Sequence, residues 1–281
     1  MLRVAIPNKG QLAEPAKSML KEAGYLQNAS LEKLVIQDPA NEAEFFFLRP
    51  KDVATYVGSG RIDVGITGRD MLIDSQSDAV EVLELGFGAS NFHFAAPVGT
   101  ASSIKDVEGK RIACSYPVLL QRWLDDNKIS ARIVKLDGAV ENAVALGVAD
   151  WVADVVATGT TLRQAGLEII GRPMLSSEAI VIRRKDDVAN TQVDTLIRRL
   201  QGVMVARTYV LVDYDIRRSD LEAACKLTPG IESPTISDLA DKNWAAVRAM
   251  VPKSEVHGVM DSLYDLGARG IIVTDIHACR L

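Results

Sequence analysis

Residues Asp154 to Thr161 read DVVATGTT: an apolar strand, VADVVA, that stops on Thr158, Gly159, Thr160 and Thr161, which have almost nothing to pack. A run of Thr and Gly between a strand and a helix exposes backbone N–H donors and hydroxyls at the positive end of that helix, where phosphate is favoured. The same residues also suit an N-capping turn, since Thr caps helices and Gly turns chains. Taken alone, the turn is the better reading. The choice rests on what gathers around it.

Other chemistries find no residues. There is no GxxxxGK[ST] loop, and Gly86-Phe87-Gly88 opens like a dinucleotide fingerprint but meets Asn91 where the third glycine belongs. Neither GxSxG nor HExxH occurs. His93, His257 and His277 are isolated, and His93, inside an apolar strand, reads as a satisfied core histidine. Cys114, Cys225 and Cys279 lie far apart without CxxC spacing, which argues against zinc and disulfides and for buried, reduced thiols. Trp123, Trp151 and Trp244 read as core anchors.

The elements that must position DVVATGTT follow from the apolar pattern. Short apolar runs alternate with amphipathic ones through the first two thirds, the pattern of a parallel sheet with covering helices. Strands are predicted near LRVAIP, EFFFLR, IDVGIT, EVLELGF, FHFAAP, RIACS, ARIVKL, WVADVVA and EAIVIRR. Helices begin after Asn8-Lys9-Gly10 and at Pro50, and PVLLQRWLDDN and AVENAVALG read as two more. GFGASNFHFAAP looks like a crossing into a second lobe and GRPMLSSEAIVIRR like the return, which leaves a cleft between lobes. Residues 1–90 with 178–206 are expected to form one lobe, and 91–177 the other. From 207 to 281 the order becomes strand, helix, strand, strand, helix, strand, a ferredoxin-like unit of a kind often regulatory.

In an open α/β sheet ligands bind beyond the carboxyl ends of the strands. Those ends carry Asn8-Lys9-Gly10, Arg49, and Thr67 to Asp70 in the first lobe; in the second they carry Ser115-Tyr116, Asp137-Gly138 with Glu141, and Thr158 to Thr161. The cations thus lie in one lobe and the Thr-rich loop in the other. Two anionic ligands facing each other across the cleft would suit this arrangement, one gripped by Lys9 and Arg49 and one by the loop. Each residue has a plainer reading: surface cations for Lys9 and Arg49, a helix cap for Asp70, a turn filler for Tyr116 before Pro117.

With 281 residues, two or three domains are expected. Hydrophobic residues at 48% and charged residues at 25% match a globular chain and exclude collagen-like or disordered classes. The net charge of -5 disfavours wholesale nucleic-acid binding, while a few local cations still allow an anionic small molecule. MLRVAIPNKG has no long apolar stretch and no later segment suits a bilayer crossing, so a cytoplasmic protein is expected.

The chain resembles the ATP phosphoribosyltransferase family in its long, histidine-regulated form. PNKG, FFFLRPKD, VGSGRIDVGITGRD, LGFGASNF, LDGAVE, ADVVATGTTL, TPGIESPTI and GIIVTDI carry the resemblance along essentially the whole chain, and their joint order is highly specific. It implies an α/β, two-lobed, periplasmic-binding-protein-like catalytic part and a C-terminal ferredoxin-like (ACT-like) α+β domain. It also implies transfer of the phosphoribosyl group of 5-phosphoribosyl 1-pyrophosphate to N1 of ATP, with Mg²⁺ on the pyrophosphate, at the opening of histidine biosynthesis.

By the same resemblance, Thr158, Gly159, Thr160 and Thr161 would surround the 5-phosphate and Asp154 would lie near the ribose hydroxyls. The commoner phosphoribosyltransferase loop has two consecutive acids; here Ala153 and Val155 flank Asp154, and Glu141 is the available second acid. Lys9, Arg49, Asp70 and Tyr116 would line the ATP side, where AMP also competes, with Lys9 and Arg49 as its catalytic cations. Feedback inhibition by histidine would belong to the last domain, with Asp215, Thr235 and the backbone near Gly270 as candidates, in homo-oligomers whose dimers build hexamers. Two rivals share the cleft: a solute-binding module, usually exported, and an effector-sensing regulator, which needs a DNA-binding helix pair and a basic surface.

Overall fold

The computed structural model describes residues 1–27, 33–156, 159–186 and 190–280. They form two compact units, Met1–Lys21 with Tyr25–Ile197, and Glu22–Gly24 with Arg198–Leu281. Among the described residues, no helix is long and apolar enough to cross a membrane.

The first unit opens with β1 (Leu2–Pro7), α1 (Ala13–Glu22), β2 (Val35–Asp38), β3 (Ala43–Leu48), α2 (Pro50–Gly58), β4 (Val64–Gly68), α3 (Arg69–Ser75) and β5 (Ala79–Glu84). β1 lies parallel between β3 and β4 and is buried at five of six positions. This burial explains why LRVAIP is apolar everywhere except at its one exposed residue, Arg3, rather than alternating. Pro50 starts α2 and holds Arg49 extended before it (φ -62, ψ 135). Val53 and Val57 of α2 then press onto Gly65 of β4, where an added Cβ would come within 2.5 Å of Val53 Cγ1 and 3.1 Å of Val57 Cγ2.

The chain leaves this sheet through Gly86 and Gly88, both at positive φ. At Gly88 glycine is required twice over, because a Cβ there would also collide with Leu12. The second lobe follows as β6 (Ser90–Pro97), β7 (Arg111–Cys114), α4 (Pro117–Asp126), β8 (Arg132–Lys135), α5 (Asn142–Ala145), β9 (Trp151–Val156), α6 (Thr160–Gln164) and β10 (Leu167–Ser177). Its sheet runs β10-β6-β9-β7-β8. Phe92, Phe94, Ile112, Leu120, Leu124 and Trp151 fill one face, with Phe94 edge-on to Trp123 at 5.0 Å and to Trp151 at 6.2 Å between ring centroids.

The return brings β11 (Ala179–Arg184) back into the first sheet, antiparallel between β4 and β5, so that its order is β2-β3-β1-β4-β11-β5. The crossing strand β10 begins earlier than the predicted return segment and pairs with β6 from Leu167, with an irregularity between Ile170 and Leu175. The short edge strand β2 was not predicted; only Ile36 in it is buried.

α7 (Thr191–Thr208) carries the chain on to β12 (Tyr209–Arg217), α8 (Leu221–Leu227), β13 (Thr235–Asp238), β14 (Trp244–Pro252), α9 (Val256–Asp265) and β15 (Arg269–Asp275). The four strands form an antiparallel sheet in the order β13-β14-β12-β15, the ferredoxin-like arrangement. Along β12 every second residue is buried, and Val210, Val212, Tyr214 and Ile216 share a core with Ala224 of α8 and Leu263 of α9. Tyr214 keeps its hydroxyl satisfied there by a 2.7 Å hydrogen bond with Thr228 Oγ1.

Because α2 rests on a bare Cα, Gly65→Ala should destabilise the chain by about 1–3 kcal/mol, the usual cost of overpacking. Urea unfolding reads this directly, and an unchanged midpoint would contradict the close approach.

Candidate active site

Within the first unit, a cavity of about 220 Å³ opens between the two lobes, lined by Lys9, Leu12, Pro50, Gly68 and Asp70 from one and by Ser90, Tyr116 and Val155 from the other, with Ser177 and Glu178 of the return crossing beside it. Of the residues expected on the ATP side, Lys9, Asp70 and Tyr116 therefore come together. Arg49 stands exposed at the start of α2 and is not among the lining residues.

Asp70 is not a cap of α3, whose N-cap is Gly68. Only 3% exposed, its carboxylate accepts a 2.8 Å hydrogen bond from Ser177 Oγ, which in turn accepts one from the Asp70 amide at 3.1 Å. The absence of a side chain at Gly68 makes room for it, since a Cβ there would strike the carboxylate. Tyr116 is buried with Phe92 edge-on at 5.7 Å, and Lys51 Nζ lies 4.3 Å from the centre of its ring. Burial first, and then the nearby charge of Asp70, push the phenol well above its ordinary range, so it remains a hydroxyl.

On the opposite side, Asp154 is near the end of β9 and Glu141 immediately precedes α5. Burial pushes Asp154 up to about 6; the charges of Glu141 and Asp70 push the same way, while the Val155 amide and Lys51 oppose them. Gly159 takes the left-handed conformation (φ 69, ψ 10) that turns the chain into α6, and Thr160 and Thr161 are exposed on its first turn. Thr158 lies outside the described residues.

Several residues near these sites were not predicted. Lys51 donates to the Ser115 carbonyl at 2.7 Å, and its place just after Pro50 in FFFLRPKD was the available signal. Arg163 Nη2 donates to Thr160 Oγ1 at 3.3 Å and so brings a guanidinium to the Thr-rich turn, one helical turn after it. Ser177 carried no local signal, because its partner is 107 positions away. His93 is not the satisfied core histidine expected: among the described residues its buried Nδ1 has no hydrogen-bond partner, and it pairs with Asp154 across the β6–β9 ladder. Burial lowers its pKa and favours the neutral ring. Of the thiols only Cys114 is fully buried, its pKa raised to about 12 by burial.

In the second unit, Asp215 and Gly270 are neighbours on β12 and β15; a Cβ at Gly270 would be 3.6 Å from Asp215 Oδ2. Thr235, on the far strand β13, pairs with Arg248, which bonds Asp213 at 2.7 Å, so it belongs to the ladder row of Asp213 rather than that of Asp215.

The sequence model described as HisG, ATP phosphoribosyltransferase, matches residues 49–202. The chain belongs to the ATP phosphoribosyltransferase family. A second model, for the C-terminal domain of this family, matches residues 206–278. An ATP phosphoribosyltransferase of Pseudarthrobacter chlorophenolicus is 59% identical, and one of Streptomyces avermitilis 57%, each over 100% of both chains. Among solved structures, the ATP phosphoribosyl transferase (HisG:HisZ) complex from Thermotoga maritima matches with a TM-score of 0.63 and 28% identity, covering 73% of this chain and 98% of that one. The family is thus an enzyme family, and the match takes in the second lobe and the cavity residues from Pro50 to Glu178.

The raised Asp154 has a consequence for stability. An unfolded aspartate ionises near 3.8, the folded one near 6. Below pH 4 both are neutral; between pH 4 and 6 the unfolded chain loses its proton first, so the folded state loses stability as pH rises, and the loss is complete above pH 6. Asp154→Asn, which keeps the shape without the charge, should match the wild type at pH 4 and exceed its stability by up to about 3 kcal/mol at pH 7. Urea unfolding at the two pH values measures this; a difference independent of pH would contradict it.

Proposed function

We propose that the protein transfers the 5-phosphoribosyl group of 5-phosphoribosyl 1-pyrophosphate to N1 of the adenine of ATP, the first step of histidine biosynthesis. The observation that carries the reading is the pairing of a cavity between the lobes, with Lys9, Asp70 and Tyr116 on its wall, with a second-lobe turn at Gly159, Thr160 and Thr161 in a member of this family. The N1 lone pair attacks C1 of the ribose as the C1–O bond breaks, and pyrophosphate leaves with that electron pair. Since the lone pair is already available, no base has to deprotonate the nucleophile. The protein's task is alignment and charge stabilisation.

In this reading the 5-phosphate rests on the backbone and hydroxyls of Gly159, Thr160 and Thr161, with Arg163 beside them and the Thr158 hydroxyl as a further donor. Asp154, ionised above its pKa of about 6, accepts from the ribose hydroxyls and opposes the positive charge that builds on the ring as the leaving group departs. Tyr116 and Asp70 line the adenine side, where AMP would compete, and Lys9 and Arg49 face the anionic tail of ATP.

Among the described residues no group of three or more His, Cys, Asp or Glu side chains could hold a metal by itself. Mg²⁺ needs only one or two protein carboxylates when phosphates and water complete its shell, and Asp154 with Glu141 is the pair that fits. Bound there with the substrate, the ion would neutralise charge on the pyrophosphate.

Histidine as feedback inhibitor is assigned to the C-terminal unit. The Asp215 carboxylate beside the backbone of Gly270 suits an amino group and a carboxylate held together, and Thr235 is the third candidate. The assembly is proposed to be a homo-oligomer in which dimers build a hexamer, and the compartment the cytoplasm.

Steady-state turnover with ATP, 5-phosphoribosyl 1-pyrophosphate and Mg²⁺ tests the reading. Turnover should be suppressed by L-histidine. Thr161→Ala should lower kcat/KM for the phosphoribosyl donor roughly 10- to 100-fold, the worth of a hydrogen bond to a charged group, without lowering Tm. A folded protein without turnover at concentrations that permit assembly would overturn it.

A further inference from the structure

The turn that carries Tyr116 is held by groups from the other lobe. α4 starts at Pro117, which has no N–H to offer, and its N-cap Tyr116 provides no side-chain cap. The open amides of its first turn, Val118 and Leu119, donate instead to one oxygen, Asp74 Oδ1, at 2.9 and 3.1 Å. Asp74 belongs to α3 in the first lobe, the helix that also carries Asp70. On the other side of Tyr116, Lys51 of α2 bonds the Ser115 carbonyl at 2.7 Å and rests on the phenol ring. Met71 and Ile73 of α3 pack against the second-lobe core alongside.

An anionic cap at a helix N-terminus satisfies two orphan donors and complements the helix dipole. Here the cap is not local. It forms only when the lobes meet as they do in this structure, and it bears on the residues immediately after the one that lines the cavity.

We infer that Asp74 is a positioning residue: by capping α4 across the lobe boundary, opposite Lys51, it fixes Tyr116 against the cavity and couples docking of the lobes to the shape of the ATP side. The inference rests on the assignment of that side to ATP made above. It gives the two substrates different sensitivities, because the Asp74 carboxylate holds the first turn of α4, beside Tyr116 on the ATP side.

The test uses the full chain with Asp74→Ala and Asp74→Asn, reading ATP and 5-phosphoribosyl 1-pyrophosphate affinity by calorimetry and amide exchange over Tyr116–Leu124. Asp74→Ala should weaken ATP roughly tenfold, within the worth of an N-cap, leave the phosphoribosyl donor within about twofold, and speed exchange at Val118 and Leu119. Asp74→Asn, which keeps the Oδ1 acceptor, should recover most of both effects. Unchanged exchange, faster exchange with unchanged ATP affinity, or equal weakening of both substrates would each overturn the inference. A wild-type chain that bound no ATP would overturn the functional reading and the ATP half of this inference together, while the exchange result would still judge the cap itself.

Discussion

A carboxylate only 3% exposed must be given a donor, and Asp70 receives its donor from Ser177, at the far end of the excursion through the second lobe. An unpaired carboxylate at that depth would be strongly destabilising. The return crossing therefore has to arrive where Ser177 can reach it, just before β11 enters the first sheet between β4 and β5. The two crossings, the antiparallel insertion of β11 between β4 and β5 and the cavity between the lobes are all anchored by that contact. Arg69, adjacent to Asp70, reinforces the same junction by binding Glu81 and Glu84 and approaching Glu178.

The two sides of the cavity region solve different electrostatic problems. Around Asp70 and Tyr116, polar groups are buried and given partners: Asp70 by Ser177, and the Ser115 carbonyl by Lys51. On the second-lobe side, Asp154 is buried near Glu141 without a matching cation strong enough to offset burial, and its pKa rises. A group left in this state is costly in the free protein and suited to a ligand that brings its own hydroxyls and charge, a pattern common at functional sites. His93, opposite Asp154 with an orphaned nitrogen, adds a second under-satisfied group on the same ladder.

Much of the scaffold was legible because its signals are local. Runs such as LRVAIP, RIACS and EAIVIRR fall on strands buried at most of their positions, where largely apolar composition is required, and Pro50 and Pro117 start helices as N1 prolines do. β2 escaped because a short edge strand with one buried residue leaves almost no pattern. α7 did carry a pattern, with Val193, Leu196, Leu200 and Val203 buried at helical spacing, and it was not among the predicted elements. At the site, strand-end logic brought Lys9, Asp70 and Tyr116 to one cavity. It could not find Ser177, Lys51 or Asp74, whose roles arise only when the lobes close on each other; no spacing in the chain records a contact between a side chain and a helix that begins more than forty residues later.

The central claim is that the nucleotide and the phosphoribosyl donor approach one another from opposite lobes. A crystal structure of the full chain with AMP and 5-phosphoribosyl 1-pyrophosphate tests it most directly. The account predicts the 5-phosphate on the amides and hydroxyls of Gly159, Thr160 and Thr161, and the adenine beside Tyr116 and Asp70 with N1 directed at C1 of the ribose. A phosphoribosyl donor seated on Lys9 and Asp70, or an adenine on the Thr-rich turn, would contradict it.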